Sequence, residues 1–258
     1  MAPFTFIHSG RMGDVLYSLY AATHLTAQLP NSDTFDYVLR TGVSAWDPSG
    51  RPHMMEQADA EFLKPLLEAQ PYIHEVRITS GRAECYVLDS FRRNMSLVIG
   101  REIRSWYFDP REPMDQDEFA RPVLTLPDAP EKKPWIAVCF TPRYRQKFDL
   151  SPLFPYRDRI LFAGLPAEHC AFCRDVFPVE YHPVENALEL LSFMASCAGF
   201  VGNVSGTFAV AECAKIPRIL CLAPDGGNVK PQGGFHRESR SSDSLEIHLK
   251  QLLEEQPS

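Results

Sequence analysis

The chain has 258 residues, 45% apolar and 23% charged, so it can bury a full core as one large domain or as two of about 120–130 residues each, and two are expected. Asp and Glu (33) outnumber Lys and Arg (26), giving a net charge of -7, so nucleic acid would need a local basic cleft to bind. The start, Met1-Ala2-Pro3-Phe4-Thr5-Phe6-Ile7, lacks the parts of a signal peptide, and no apolar run reaches the ~18–20 residues of a membrane span, so a soluble cytoplasmic protein without stable membrane insertion is expected.

Phe4–His8 alternates as a first strand, and Ser9-Gly10-Arg11-Met12-Gly13-Asp14 turns into a helix with Val15, Leu16, Leu19, Ala22 and Thr23 on one face. Asp14 falls in the first helical turn, where the dipole stabilises a carboxylate; this makes it an acid or base candidate as well as an ordinary dipole-complementing residue. Asp36–Arg40 reads as a strand, Trp46–His53 as a loop, and Met55, Ala58, Phe62 and Leu66 as one side of a helix that Pro65 should bend or restart. Glu75–Ile78 and Tyr86–Leu88 are short strands. Residues 91–106 have helical spacing with Arg92, Arg93, Arg101 and Arg104 around it, either a solvated face or a docking surface for nucleic acid.

Pro122–Leu126 reads as a strand, and the proline-rich Pro127–Pro134 marks the boundary between domains 1–127 and 135–258, with 128–134 as linker. Trp135–Phe140 restarts the pattern as a buried strand, followed by a loop carrying Arg143, Arg145 and Lys147. Arg159–Ala163 is a strand ending at Gly164, and Glu168–Val176 and Ala187–Ala198 are helices. His169, Cys170 and Cys173 could be a metal or redox cluster, but lack a second ligand pair and suit one turn of a helix with both thiols facing a core. All seven cysteines are expected to be reduced. Phe200–Leu222 then reads strand, turn, helix, strand, with Gly202, Asn203, Ser205, Gly206 and Thr207 in the turn; it is either a helix cap or a place for a phosphate. A glycine-rich loop over 225–240, read as a mobile lid or a solvated loop, and a helix near Ser244–Glu255 complete the chain.

Strand and helix alternate in both halves, which implies two α/β units with parallel sheets and ligands beyond the C-terminal strand ends. The turns at 9–14, 141–149 and 202–207 would then supply a carboxylate, three cations and a set of hydroxyl and N–H donors, an inventory suited to deprotonating a hydroxyl and holding a diphosphate. Neither a dinucleotide fingerprint nor a P-loop spacing occurs. Asp115-Gln116-Asp117 has metal-binding spacing but lies in an acidic loop, so no metal site and no cofactor is assigned.

Ser9–Leu16 resembles the N-terminal Gly-Asp motif of glycosyltransferase family 9, the heptosyltransferase-like proteins. Leu67–Val76, Arg145–Phe148 and Gly202–Thr207, with Pro217 after it, are similar to further segments of that family in the same order. The resemblance implies the GT-B architecture, two Rossmann-like domains facing across a cleft. It implies Asp14 as general base, Lys147 as a phosphate or leaving-group contact in the catalytic pair, Ser205, Gly206 and Thr207 as the diphosphate cradle and Gly164 and Glu168 near the nucleoside; Arg143, Arg145 and Asn203 are also expected on the donor. Arg11, Met12 and Gly13 would meet the acceptor. Val204, Ala209 and Tyr20 depart from the family's Asp, His and Pro. The expected activity is inverting, metal-independent transfer of a sugar from a nucleotide-sugar to a saccharide or glycolipid hydroxyl, with a hydroxylated DNA base as a further acceptor option. A nucleotide-sugar epimerase and a non-catalytic sugar-nucleotide or glycan-binding module are the alternatives.

Overall fold

A computed structural model describes residues 4–30, 33–42, 55–81, 85–90, 100–108, 116–142, 148–222 and 228–254, and every strand pairing in it is parallel. The chain folds as two compact units. The first comprises Met1–Phe119, Val123–Pro127 and Asn186–Leu188; the second comprises Ala120–Pro122, Asp128–Glu185 and Glu189–Ser258.

The first unit is built on β1 (Phe4–His8), α1 (Met12–Ala27), β2 (Phe35–Arg40), α2 (Gln57–Glu68), β3 (Ile73–Thr79) and β4 (Tyr86–Val87), with sheet order β3-β2-β1-β4. Strand order reverses at β1, so the crevice beyond β1 and β4 is a topological switch point, where open α/β sheets take their ligands. Helix α1 buries every residue from Val15 to Ala22, which a one-sided apolar stripe does not predict. The buried Ser18 hydroxyl is satisfied inside: it donates 2.7 Å to the Val15 carbonyl and lies 2.7 Å from the Tyr37 hydroxyl. In α2 the buried face is Ala60, Leu63, Leu66 and Leu67, and Ala58 is exposed; the helix continues through Pro65 to Glu68.

Two expectations fail in this unit. Residues 91–99, with Arg92 and Arg93, lie outside the described residues, and Ile103–Tyr107 forms a 3-10 turn in which Arg104 is fully buried. Its guanidinium donates to Glu102 at 2.6 Å and to the Phe119 carbonyl at 3.2 Å, and lies 4.8 Å from the Phe119 ring centre. Arg104 therefore belongs to the core, not to a solvated face or a DNA-docking surface. Nor is Pro122–Leu126 a strand. The buried Gln70 side chain serves as its neighbour, accepting from the Thr125 N–H at 2.9 Å and donating to the Thr125 carbonyl at 3.3 Å. Short helix α3 (Gln116–Ala120) precedes that segment.

The second unit carries β5 (Ile136–Cys139), β6 (Ile160–Phe162), α4 (Pro166–Asp175), β7 (Glu180–Tyr181), α5 (Ala187–Ser196), β8 (Gly199–Gly202), α6 (Gly206–Cys213), β9 (Arg218–Cys221), β10 (His236–Ser239) and α7 (Ser242–Glu254). Sheet order is β10-β9-β8-β5-β6-β7, with its switch point between β5 and β8. The 225–240 stretch is corrected: residues 223–227 lie outside the described residues, but His236–Ser239 pairs with β9 and is a strand, not part of a lid.

The segment before β10 is tied to a buried ion cluster. Fully buried Arg218 donates to Glu212 at 2.6 Å and to the Gln232 and Gly233 carbonyls at 2.7 and 3.1 Å. Glu212 also accepts from Lys215 at 2.8 Å, and desolvation pulls the Lys215 ammonium down to about 8. Breaking such a pair from one side costs roughly 3–5 kcal/mol because the other charge stays buried.

Candidate active site

In the first unit the candidate residues gather at the end of β1. His8 is fully buried and Ser9 nearly so. The Ser9 N–H and hydroxyl both donate to Asp89 Oδ2, a pairing across the switch point from β1 to the residue pair following β4. Arg11, exposed and extended (φ -71°, ψ 170°), precedes α1 with no side-chain cap, and Met12, Gly13 and Asp14 form the half-buried first turn. A Cβ at Gly10 would meet His8 Cε1 at 2.6 Å and Asp14 Oδ2 at 2.9 Å, so any other residue here would have to displace the imidazole or the carboxylate. Tyr107, on the 3-10 turn held by Arg104, donates 2.8 Å to the Asp14 main-chain carbonyl.

In the second unit the corresponding place is the end of β5, β6 and β8. Asn203 accepts from the Thr141 N–H at 2.9 Å and donates to the Thr141 carbonyl at 2.8 Å, so its amide clamps the two loops across the switch point. Ser205 caps α6, its Oγ accepting from the Phe208 N–H at 3.0 Å. Thr207 is buried, and its hydroxyl and that of Ser205 lie against the Cys139 thiol. Burial, with the Glu168 carboxylate second, pushes that thiol up to about 12. Glu168 Oε2 accepts from the Leu165 N–H at 3.0 Å and lies 3.8 Å from Cys139 Sγ. A Cβ at Gly164 would meet Cys139 Sγ at 2.8 Å and Glu168 Oε2 at 2.9 Å. Arg143, Arg145 and Lys147 lie outside the described residues.

Of the donor residues expected from sequence, Gly164, Glu168, Asn203, Ser205, Gly206 and Thr207 lie at this end of the second sheet. The polar atoms of Asn203, Ser205 and Thr207 turn inward, and the helix presents main-chain N–H groups of Gly206 and Thr207 at its start. His8, Asp89, Tyr107 and Cys139 were not singled out by sequence; an acid just past a strand was the one available signal for Asp89, and it means nothing until β4 is known to lie beside β1.

The cysteine cluster on α4 is an ordinary helix turn with one thiol inward: Cys173 Sγ lies 3.2 Å from His169 Nε2, whereas Cys170 is exposed rather than facing a core. Among the described residues no group of three or more His, Cys, Asp or Glu could hold a metal ion, and no helix is long and apolar enough to cross a membrane.

The chain superposes on E. coli ADP-heptose LPS heptosyltransferase II with a TM-score of 0.65 at 14% sequence identity, covering 98% of each chain. The fold is that of the heptosyltransferases. The glycosyl transferase family 9 protein from Veillonella parvula shares this GT-B fold with a TM-score of 0.60 at 13% identity, over 96% of this chain and 88% of its own. The dodecameric iron-containing heptosyltransferase TibC, solved with ADP-D-β-D-heptose, matches with a TM-score of 0.50 at 14% identity, over 91% of this chain and 63% of its own. No protein-family model matches the chain, and no curated protein sequence does. At these identities it is the heptosyltransferase fold that is shared; the chemistry has to be argued from the residues.

Proposed function

We propose that the chain is an inverting, metal-independent glycosyltransferase that moves a sugar from a nucleotide-sugar to a hydroxyl of a saccharide or glycolipid. The observation that carries this reading is the Asp14 carboxylate wedged against Gly10 at the β1 switch point of a heptosyltransferase fold. An acceptor O–H attacks the anomeric carbon and gives its proton to Asp14. The bond from that carbon to the diphosphate breaks, and its electron pair leaves with the nucleoside diphosphate. On the donor side the N–H groups of Gly206 and Thr207 and the positive end of α6 meet the diphosphate, with Arg143, Arg145 and Lys147 adding charge. Glu168, in the first turn of α4 after β6, takes the nucleoside end. Val204, half-buried beside Ser205, and the fully buried Ala209 set the donor apart from ADP-heptose.

A thermal-shift screen against UDP-, GDP-, ADP-, CMP- and dTDP-sugars tests this. A donor at ~100 times its Kd stabilises by about 2.7 kcal/mol, or several degrees for a chain of this size. One nucleotide class should give that shift and, with acceptor, release nucleoside diphosphate; no shift with any donor would sink the reading.

A further inference from the structure

The first switch point holds hydrogen bonds whose directions are all forced. The Gly10 N–H can only donate, and it points at His8 Nδ1 from 2.9 Å, so Nδ1 is the acceptor nitrogen and the ring proton sits on Nε2. The Asp14 main-chain carbonyl can only accept, so the Tyr107 O–H, 2.8 Å away, points at it. The Tyr107 oxygen is left to receive the His8 Nε2–H at a longer 3.4 Å. The order runs Gly10 N–H to His8, His8 N–H to Tyr107, Tyr107 O–H to Asp14, and each member closes the turn between Gly10 and Asp14. Tyr107 is supplied from far along the chain, on a 3-10 turn fixed by the buried Arg104 and its partners Glu102, Phe119 and Tyr20.

We propose that Tyr107 and His8 are positioning residues: they hold the β1–α1 turn in the one arrangement that presents the Asp14 carboxylate, with Tyr107 reading out the state of His8. This inference rests on the assignment of Asp14 as the base. A purely space-filling Tyr107 would need only its ring, and the His8 and Tyr107 rings do pack, centres 5.8 Å apart. The hydroxyl is what the directed hydrogen bonds require, so removing it alone separates the two roles.

The test is Tyr107→Phe in the full chain, read three ways. Nitrogen-15 spectra of the His8 ring should show the Nε2–H form in the wild type and a loss or mixture of that form in the variant. Exchange of the Gly10 amide should speed up. With the donor found by thermal shift, kcat should fall roughly tenfold, the loss of one positioned hydrogen bond, with donor KM unchanged. A Nδ1–H ring in the wild type, or a variant with unchanged ring form and Gly10 exchange, overturns the proposal. If the wild type transfers no sugar, the base assignment fails, while ring form and Gly10 exchange still decide whether Tyr107 sets the turn. His8→Asn, whose side-chain oxygen can still accept from the Gly10 N–H but which lacks the N–H that reaches Tyr107, should reproduce the kcat change of Tyr107→Phe; a wild-type kcat in it also overturns the proposal.

Discussion

The two switch points solve one mechanical problem with different chemistry. In each, a residue just past one strand reaches across to a loop after its neighbour: Ser9 to Asp89 between β1 and β4, Asn203 to Thr141 between β8 and β5. The first crossing brings the N–H and hydroxyl of Ser9 onto a carboxylate, next to the turn that carries Asp14. The second joins a neutral amide to main chain and surrounds itself with hydroxyls, a protonated thiol and a capped helix. The first end is thereby arranged around a negatively charged group and the second around main-chain donors, the pair of demands set by an acceptor hydroxyl and a departing diphosphate.

The matched glycines break this comparison most sharply. Gly10→Ala puts a methyl within 3 Å of His8 and Asp14, and should lower kcat by about 10- to 100-fold while leaving donor affinity in place, the result of forcing ~1–3 kcal/mol of displacement on the base. Gly164→Ala does the same between Cys139 and Glu168, and should instead weaken the donor Kd by about 5- to 50-fold, measured by calorimetry. If the two variants had the same effect on kcat and Kd, the assignment of one end to catalysis and the other to the donor would fall. A smaller effect belongs to Ser205→Ala. Its oxygen caps α6, so about 1 kcal/mol of stability should go in denaturant melts, with a donor Kd changed less than about fivefold; a larger loss of affinity would return the hydroxyl to the donor.

The gentlest probe is pH. The Cys139 thiol is raised from 9.0 to about 12 in the folded chain, so it is neutral in both states well below pH 9 and adds no pH dependence there. Above that the unfolded chain ionises first, and the stability held by the buried neutral thiol is lost as pH rises from 9 toward 12. Chemical denaturation of Cys139→Ala between about pH 8 and 10 should show a shallower decline than the wild type. Equal slopes would contradict the buried, neutral state of this thiol.

Much of this was legible in the residues. The glycine turns at 9–14 and 202–207 and the alternation of strand and helix led to the two parallel α/β units, and the Gly-Asp motif to the proposal for Asp14. What stayed hidden depended on partners distant in sequence. Arg104 reads as a surface cation because nothing local announces that Glu102, Phe119 and Tyr20 enclose it. His236–Ser239 has no apolar alternation, and becomes a strand only because β9 offers it a parallel edge and Arg218 ties down the segment before it. Gln70 replaces a strand for Thr125, which no propensity reports. Asn203 and Ser205 also build the turn itself, by the clamp to Thr141 and the cap on Phe208, which residue type alone does not announce.

The central claim is that Asp14 takes the acceptor's proton while the second unit holds the donor, and Asp14→Asn tests it directly. With the donor that stabilises the wild type, the variant should show the same thermal shift and lose transfer by about 10²- to 10⁴-fold, measured as nucleoside diphosphate released per enzyme. Transfer at the wild-type rate with Asn at this position would contradict the account.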